Sequence, residues 1–213
     1  MSESRHNTDQ LLKEIQADEE NRNKGHLKIF FGYAAGVGKT YAMLEAAHME
    51  KQQGIDVVAG YVETHARPKT AALLNGLEVL PTREVFYNGM ILDEFDIGMA
   101  LKRKPQLILV DELAHTNAEG CRHAKRYQDI KELLNAGIDV YTTVNVQHIE
   151  SLCDTVASIT EIVVRERIPD SIFDNADQVE LIDIEPQDLI NRLNTGNVYR
   201  QTQEKQAVEN FLQ

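Results

Sequence analysis

The sequence has few of the features that mark secreted or membrane-inserted proteins. Its 213 residues include only two cysteines, Cys121 and Cys153, which are too far apart for a CxxC motif. This usage indicates a reducing compartment without disulfides. No segment approaches the run of about 20 apolar residues that a membrane-spanning helix requires, and the N-terminus lacks the regions of a signal peptide. We therefore expect a soluble, cytoplasmic chain that does not itself insert into a membrane.

Basic residues are also scarce, since 22 lysines and arginines stand against 34 aspartates and glutamates. The formal net charge is therefore −12. The electrostatic field of this net negative charge repels nucleic-acid phosphates and anionic lipid headgroups, so we expect neither nucleic acids nor membranes as partners. ATP is also a polyanion, but a local group of backbone N–H donors together with Mg²⁺ can override the global field.

Apolar runs that are typical of strands alternate along the chain with stretches of helical character. Leu107–Val110 is a continuous apolar run, as expected of a strand that is covered on both faces. The alternation predicts an α/β fold with a mostly parallel sheet flanked by helices. The other predicted strands are 27–31, 57–62, 84–87, 139–146, 162–164 and 179–184. The predicted helices are 39–53, 68–74, 93–102, 125–135, 149–158 and 186–193.

The chain is predicted to contain one main domain with two short appendages. Residues 1–24 are polar, and Leu11, Leu12 and Ile15 give them the pattern of a short amphipathic helix. The main domain is predicted over residues 25–200. Residues 201–213 are predicted to form a polar helical tail.

The most informative stretch is Gly36-Val37-Gly38-Lys39-Thr40, between the first predicted strand and the first predicted helix. The glycines allow backbone N–H groups to converge on phosphate oxygens, and a helix N-terminus favours an anion. Lys39 is expected to reach the β- and γ-phosphates, and the Thr40 hydroxyl to ligate Mg²⁺. The pattern predicts an ATP site of the P-loop (Walker A) nucleoside-triphosphatase type. Its predicted nucleotide-binding residues are Gly32, Ala35, Gly36, Val37, Gly38, Lys39, Thr40 and Tyr41.

One position departs from the usual pattern G-x-x-x-x-G-K-[ST]. The first glycine of that pattern falls at position 33, where this chain has Tyr33, and Gly32 stands one residue early. A tyrosine in a place that a small residue normally holds is expected either to crowd the nucleotide or to stack on a neighbouring group. The departure bears on affinity more than on the existence of the site.

Four junctions that follow predicted strands are unusually polar. Ligands of open parallel sheets bind beyond the carboxyl ends of the strands, where these junctions lie. Helix capping and loop solvation explain any single junction, but four of them beside a glycine loop favour a site. They are the glycine loop, Glu63-Thr64-His65, Asp111-Glu112 with His115-Thr116-Asn117, and Asn145-Val146-Gln147-His148.

Asp111 and Glu112 directly follow the apolar strand Leu107–Val110. An acid at this place fits the residue that holds Mg²⁺ through water in P-loop enzymes, so Asp111 is predicted to be a metal residue with Thr40. Glu112 is a candidate general base that polarises an attacking water. The alternative for Asp111 is a cap on the following turn. ATP binding and ATP hydrolysis are therefore separate hypotheses.

Other polar side chains at this predicted edge give weaker signals. The histidines lack the paired spacing of a zinc site on one helix, and no phosphoacceptor role is indicated for them. Arg122, Lys125 and Arg126 form a basic cluster that could supply an arginine finger, although a solvated helix start is the simpler interpretation. The four histidines in loops at this edge are His65, His115, His123 and His148.

Several of these motifs together resemble the N-terminal domain of the KdpD osmosensitive potassium sensor kinases. The resemblance covers about residues 8–200, and the chain departs from the family pattern at Tyr33 and at Cys153. The motifs are Leu27-Lys28-Ile29-Phe30-Phe31-Gly32, Ala35-Gly36-Val37-Gly38-Lys39-Thr40, Val62-Glu63-Thr64-His65, Asp111-Glu112-Leu113-Ala114-His115, Arg122-His123 and Thr142-Thr143-Val144-Asn145-Val146-Gln147-His148.

The resemblance implies an ATP-binding regulatory domain of a larger, membrane-bound protein, with this domain on the cytoplasmic side. Proteins of the family continue into a stress-protein-like domain, membrane helices and a dimeric histidine-kinase core, to which residues 201–213 would lead. That core phosphorylates a response regulator that controls potassium uptake, and ATP is expected to tune its kinase and phosphatase activities. The residues leave open the alternative of an active Mg-dependent ATPase or a small-molecule phosphotransferase.

Overall fold

The computed structural model describes residues 23–65, 67–87, 89–161, 163–185 and 188–189. The predicted N-terminal helix around Leu11 and the predicted tail at 201–213 lie outside these residues. Of the helix predicted from residue 186, only Asp188 and Leu189 are described.

The described residues form eight strands, most of which belong to one parallel sheet. They are β1 (Leu27–Gly32), β2 (Val57–Tyr61), β3 (Glu78–Val79), β4 (Arg83–Tyr87), β5 (Met90–Glu94), β6 (Leu107–Val110), β7 (Asp139–Asn145) and β8 (Gln178–Leu181). Six of them form a sheet in the order β3-β2-β6-β7-β1-β8. All neighbours in this sheet run parallel. The sheet confirms the predicted α/β class.

Helices connect the strands and cover the sheet. They are α1 (Lys39–Gln52), α2 (Pro68–Ala72), α3 (Ile97–Arg103), α4 (Arg126–Asn135), α5 (Cys153–Thr160) and α6 (Asp170–Asp174). Two 3₁₀ turns, Val146–His148 and Glu150–Leu152, lie between β7 and α5. Within the described part of the chain, no helix combines the length and the apolar character that crossing a membrane requires.

The central strands are apolar throughout because both faces of the sheet are covered. All four residues of β6 are buried. Ile108 and Val110 belong to the core formed with α3 and α4, whereas Leu107 and Leu109 belong to the core formed with α1. Successive side chains of a strand point to opposite faces, so a strand between two cores needs apolar residues at every position.

The region before α3 differs from the prediction. Residues 90–94 form β5, which pairs with β4 in an antiparallel hairpin, whereas the sequence predicted a loop and then a helix from residue 93. The helix begins only at Ile97, because the Asp96 side chain accepts a hydrogen bond from the Met99 N–H at 2.9 Å and caps the first turn.

Two further predictions are wrong near α5. This helix begins at Cys153 rather than at residue 149, because a parallel bridge between Ile149 and Ile168 holds the backbone extended there. The described residues Val163 and Val164 belong to no strand, contrary to the strand predicted at 162–164. The strand Glu78–Val79 and the helix Asp170–Asp174 were not predicted, and the other predicted elements that the structure describes match their positions to within a few residues.

Candidate functional site

The glycine loop, residues 33–38, connects β1 to α1 at the carboxyl edge of the sheet. Gly36 and Gly38 have φ angles of 87° and 112°, which side-chain-bearing residues rarely adopt. Gly38 is the N-cap of α1, so Lys39 and Thr40 are the first residues of the helix. The first turn of a helix has backbone N–H groups without partners inside the helix, and these attract an anion.

A cleft of about 280 Å³ lies at this edge of the sheet. All four polar junctions contribute to its walls, so the structure brings together side chains that are far apart in the sequence. The glycine loop and the start of α1 supply Ala35, Gly36, Gly38, Lys39 and Thr40, and the other junctions supply His65, Asp111, Glu112, His115, Asn145, Gln147 and His148.

The Asp111 carboxylate joins α1 to the centre of the sheet, and the residue is only 1% exposed. Its Oδ2 accepts a hydrogen bond from the Thr40 hydroxyl at 3.0 Å. Its Oδ1 accepts from the Thr143 hydroxyl and from the Glu112 N–H, the latter at 3.1 Å. Hydroxyl and carboxylate oxygens are ligands that Mg²⁺ prefers, so Thr40 and Asp111 form a donor set that fits this ion.

Lys39 is buried at the base of the glycine loop. Its Nζ donates a hydrogen bond to the Ala34 carbonyl at 2.9 Å. Burial lowers the pKa of Lys39 to about 8, and the Asp111 charge opposes part of this effect. The side chain therefore remains mostly protonated at neutral pH, in a cleft that is partly shielded from water.

Glu112 and His65 face each other across the cleft with strained backbones. Their φ angles of 60° and 50° lie in the left-handed region that favours glycine. Burial, and then the charge of Asp111, raise the pKa of Glu112 to about 7. Burial lowers the pKa of His65, whose Nε2 lies 3.8 Å from a Glu112 oxygen. Glu112 thus holds its proton more tightly than a solvent-exposed glutamate does.

His148 lies in the same cleft with a defined ring orientation. Its Nδ1 lies 2.8 Å from the Glu166 carbonyl oxygen, and burial lowers the pKa of the ring. Because a carbonyl only accepts, Nδ1 carries the proton and the Nε2 of the neutral ring is an acceptor. Among the described residues, no three His, Cys, Asp or Glu side chains form a metal-binding group.

Some predicted nucleotide-binding residues lie outside the lining of the cleft. Gly32 and Val37 pack behind the loop, where a Cβ at Gly32 would lie 2.7 Å from Val37 Cγ2, so this position requires glycine. Tyr41 is on α1 and is 37% exposed. Tyr33 is directed to the far side of the loop, since its hydroxyl donates to the Ile184 carbonyl at 3.1 Å.

Three cleft residues were not identified from the sequence as site residues. Thr143 lies inside β7, where a threonine is typical of strands and gives no functional signal. Arg67 lines the cleft, but no sequence motif singles it out. Glu166 enters the cleft because of the bridge between Ile149 and Ile168, and no local pattern could have indicated that contact.

Arg126 does not line the cleft, but it contacts the backbone of Asp111, which does. The side chain is fully buried and its guanidinium lies over the Tyr61 ring. It donates to the Asp111 carbonyl and to Glu94, each at 3.1 Å. Its Nε also donates to Asn117 at 3.3 Å. Arg126 is therefore a structural residue, neither an arginine finger nor part of a solvated helix start.

The other two members of the basic cluster also have partners outside the cleft. Arg122 forms an ion pair with Glu132, and the Lys125 ammonium donates to the Thr116 hydroxyl at 2.6 Å. Neither side chain lines the cleft.

We predict that Arg126→Met destabilises the protein by about 3 kcal/mol, because it leaves the buried Glu94 carboxylate without its cation and the Asp111 carbonyl without the guanidinium donor. Urea unfolding followed by circular dichroism measures this effect. The matched control is Arg122→Met, which removes a half-exposed ion pair and is expected to change stability by less than about 1 kcal/mol. Equal losses in the two variants would contradict the structural role of Arg126.

Comparisons with known proteins place the chain in a family. The family model described as the osmosensitive K⁺ channel His kinase sensor domain, KdpD, matches residues 23–213. The sensor protein KdpD of Clostridium acetobutylicum is 61% identical over 202 residues, which are 95% of this chain and 22% of that protein.

Two further relatives agree with this match. The sensor protein KdpD of Escherichia coli is 55% identical over 204 residues, which are 96% of this chain and 22% of that protein. The putative sensor protein KdpD of a Synechocystis species is 52% identical over 189 residues, 89% of this chain and 51% of that protein. The chain thus spans between about a fifth and a half of these relatives. It belongs to the KdpD family of osmosensitive K⁺ channel histidine-kinase sensor domains.

Proposed function

We propose that the cleft binds Mg·ATP and that the domain is an ATP-binding regulatory module. The observation that carries this proposal is the 3.0 Å hydrogen bond between Thr40 and Asp111. It places a hydroxyl from a glycine-loop helix beside a buried carboxylate from a separate strand. The two groups that a triphosphate-bound Mg²⁺ needs are therefore adjacent.

The phosphate groups are proposed to lie against the glycine loop. The positive φ angles of Gly36 and Gly38 form a tight turn over which backbone N–H groups can converge. The N-terminus of α1 adds a favourable dipole for an anion. Lys39 then exchanges its hydrogen bond to the Ala34 carbonyl for phosphate oxygens, which are stronger acceptors because they are charged.

The metal residues are proposed to be Thr40 and Asp111, with Thr143 holding the carboxylate in position. When bound, Mg²⁺ would neutralise the charge of the β- and γ-phosphates. The order of the strands supports this assignment. Strand β7 lies between β1 and β6, so its residue Thr143 is next to Asp111, which follows β6. On these grounds we propose that the fold is of the P-loop nucleoside-triphosphatase type.

The regulatory part of the proposal depends on the relatives. They are named as sensor proteins and are longer than this chain. We propose that ATP bound to this domain, on the cytoplasmic side of a membrane-bound parent, tunes the kinase and phosphatase balance of a downstream histidine-kinase core. That core would act on a response regulator for potassium uptake, and a homodimer would form through the parent kinase.

A second function, slow ATP hydrolysis or phosphoryl transfer to a small molecule, is supported by Glu112. Its carboxylate lines the cleft directly after Asp111, in a strained backbone that fixes its direction. Its raised pKa makes it a better proton acceptor than an ordinary glutamate. ATP binding without hydrolysis would not require a glutamate with this position and this raised pKa.

The first test is the affinity of Lys39→Ala for Mg·ATP by isothermal titration calorimetry. We expect a loss on the order of 100-fold or complete loss, because a charge-assisted contact with the triphosphate disappears. The matched control is Lys69→Ala, since Lys69 is exposed on α2 and does not line the cleft. Undiminished affinity in Lys39→Ala would show that the glycine loop is not the phosphate site.

The second test separates regulation from catalysis by measuring ATP turnover. If Glu112 is a general base, Glu112→Gln should lower turnover by about 100-fold or more while ATP still binds. Glu119→Gln, at an exposed loop position, is the control and should retain full turnover. Turnover at background level in the unaltered protein would reject the enzymatic function and leave the regulatory one.

A further inference from the structure

The outer face of the glycine loop is covered by residues that follow β8. Val37 and Leu189 form the buried centre of a small apolar cluster, and Ile182 and Ile184 pack against it. Tyr33 also packs there, and its hydroxyl donates to the Ile184 carbonyl at 3.1 Å. We call Ile182, Ile184 and Leu189 the clasp.

The glycine loop therefore has two distinct faces. Gly36 and Gly38 line the cleft, whereas Tyr33 and Val37 contact the clasp. The buried residues of the apolar cluster, Val37 and Leu189, belong to neither of the two large cores, whereas Ile182 packs against both the cluster and the core on the α1 side of the sheet. The outer face of the loop is therefore held by the clasp, which Ile182 joins to the main packing of the domain.

One hydrogen bond and one packing contact connect the clasp to the glycine loop and its surroundings. The Ile182 N–H donates to the Phe31 carbonyl at 2.7 Å, which extends the pairing of β8 with β1 up to the start of the glycine loop. Ala34 packs against the apolar cluster, and its carbonyl is the acceptor of the Lys39 ammonium. A ligand that draws the Lys39 ammonium away from the Ala34 carbonyl therefore changes a hydrogen bond of Ala34, and Ala34 packs against the same apolar cluster as the clasp.

We propose that closure of the clasp and occupation of the cleft are coupled, so that Mg·ATP binding is transmitted to the clasp residues that follow β8. This inference rests on the nucleotide function proposed above. The closed clasp holds the loop with Gly36 and Gly38 in the tight turn that suits phosphate. A ligand that prefers this conformation shifts the population towards the closed clasp.

The coupling has a physical basis in the freedom of glycine. A loop with glycines at positions 36 and 38 has many accessible conformations, and fixing them opposes binding. When the clasp has already fixed the loop, the ligand binds a conformation that is highly populated, and its apparent affinity rises. By thermodynamic reciprocity, the ligand strengthens the clasp by the same factor.

The affinity arm of the test compares two leucine variants of the same segment by calorimetry with Mg·ATP. Leu189→Ala removes a fully buried side chain of the cluster and should weaken binding about fivefold or more. Leu181→Ala is the matched control, because Leu181 is 64% exposed on β8 and should have unchanged affinity. Tyr33→Phe removes only the hydroxyl that contacts Ile184 and should weaken binding in the same direction.

The structural arm measures hydrogen exchange of the Ile182 amide, whose acceptor is the Phe31 carbonyl. In the unaltered protein, Mg·ATP should slow this exchange about fivefold or more, to match the affinity factor. Lys39→Ala at the same ATP concentration should show no slowing, because the ligand no longer engages the loop. Urea unfolding of each variant verifies that the main cores are intact.

The outcomes separate the two proposals. If the unaltered protein does not bind Mg·ATP, the proposed function and this inference are both rejected. If it binds normally but Leu189→Ala and Tyr33→Phe retain its affinity, only the clasp is rejected. Equal losses in Leu189→Ala and Leu181→Ala also reject it, because they would indicate general loosening of β8. Selective loss together with slowed Ile182 exchange supports the coupling.

Discussion

The hydrogen bond between Thr40 and Asp111 is the contact on which the rest of the site depends. It connects β1 and α1 to a strand that is not adjacent to β1 in the sheet. The Asp111 backbone is fixed independently, because its N–H donates to the Tyr61 carbonyl at 2.8 Å and its carbonyl accepts from Arg126. Its side chain also accepts from Thr143 of β7. One buried residue therefore sets the positions of several elements that surround the cleft.

The same arrangement explains how an acidic protein can offer a site for a polyanion. The formal net charge is −12, yet the cleft contains Lys39, Arg67 and the N-terminus of α1. These groups act over a few ångströms in a partly shielded cleft, whereas surface charges more than about 10 Å away are screened by salt. Of the two acids at the end of β6, Asp111 is the proposed Mg²⁺ residue, and Glu112 carries less negative charge at neutral pH than an exposed glutamate because its pKa is raised to about 7.

The sequence predicted the parts of the fold and site that depend on local patterns. The apolar runs of β1, β2, β6 and β7 identified the sheet, and the glycine loop identified one wall of the cleft. The hairpin before α3 was missed even though Asn88-Gly89 is a strong turn signal in the sequence. The position of Glu166 in the cleft could not be predicted, because it depends on the long-range bridge between Ile149 and Ile168. Arg126 resembled a surface charge, because its burial depends on tertiary packing. Features that depend on neighbouring residues in the sequence could be predicted, and contacts between distant residues could not.

The burial of Lys39 has a consequence for the balance between stability and function. Lowering the pKa from 10.5 to about 8 corresponds to about 3 kcal/mol of unfavourable free energy for a charged ammonium in the folded domain. The charged ammonium is thus less stable in the folded domain than in water. A phosphate that approaches the ammonium regains part of that free energy. A buried cation of this kind is consistent with the proposed phosphate site, because functional sites commonly trade stability for activity.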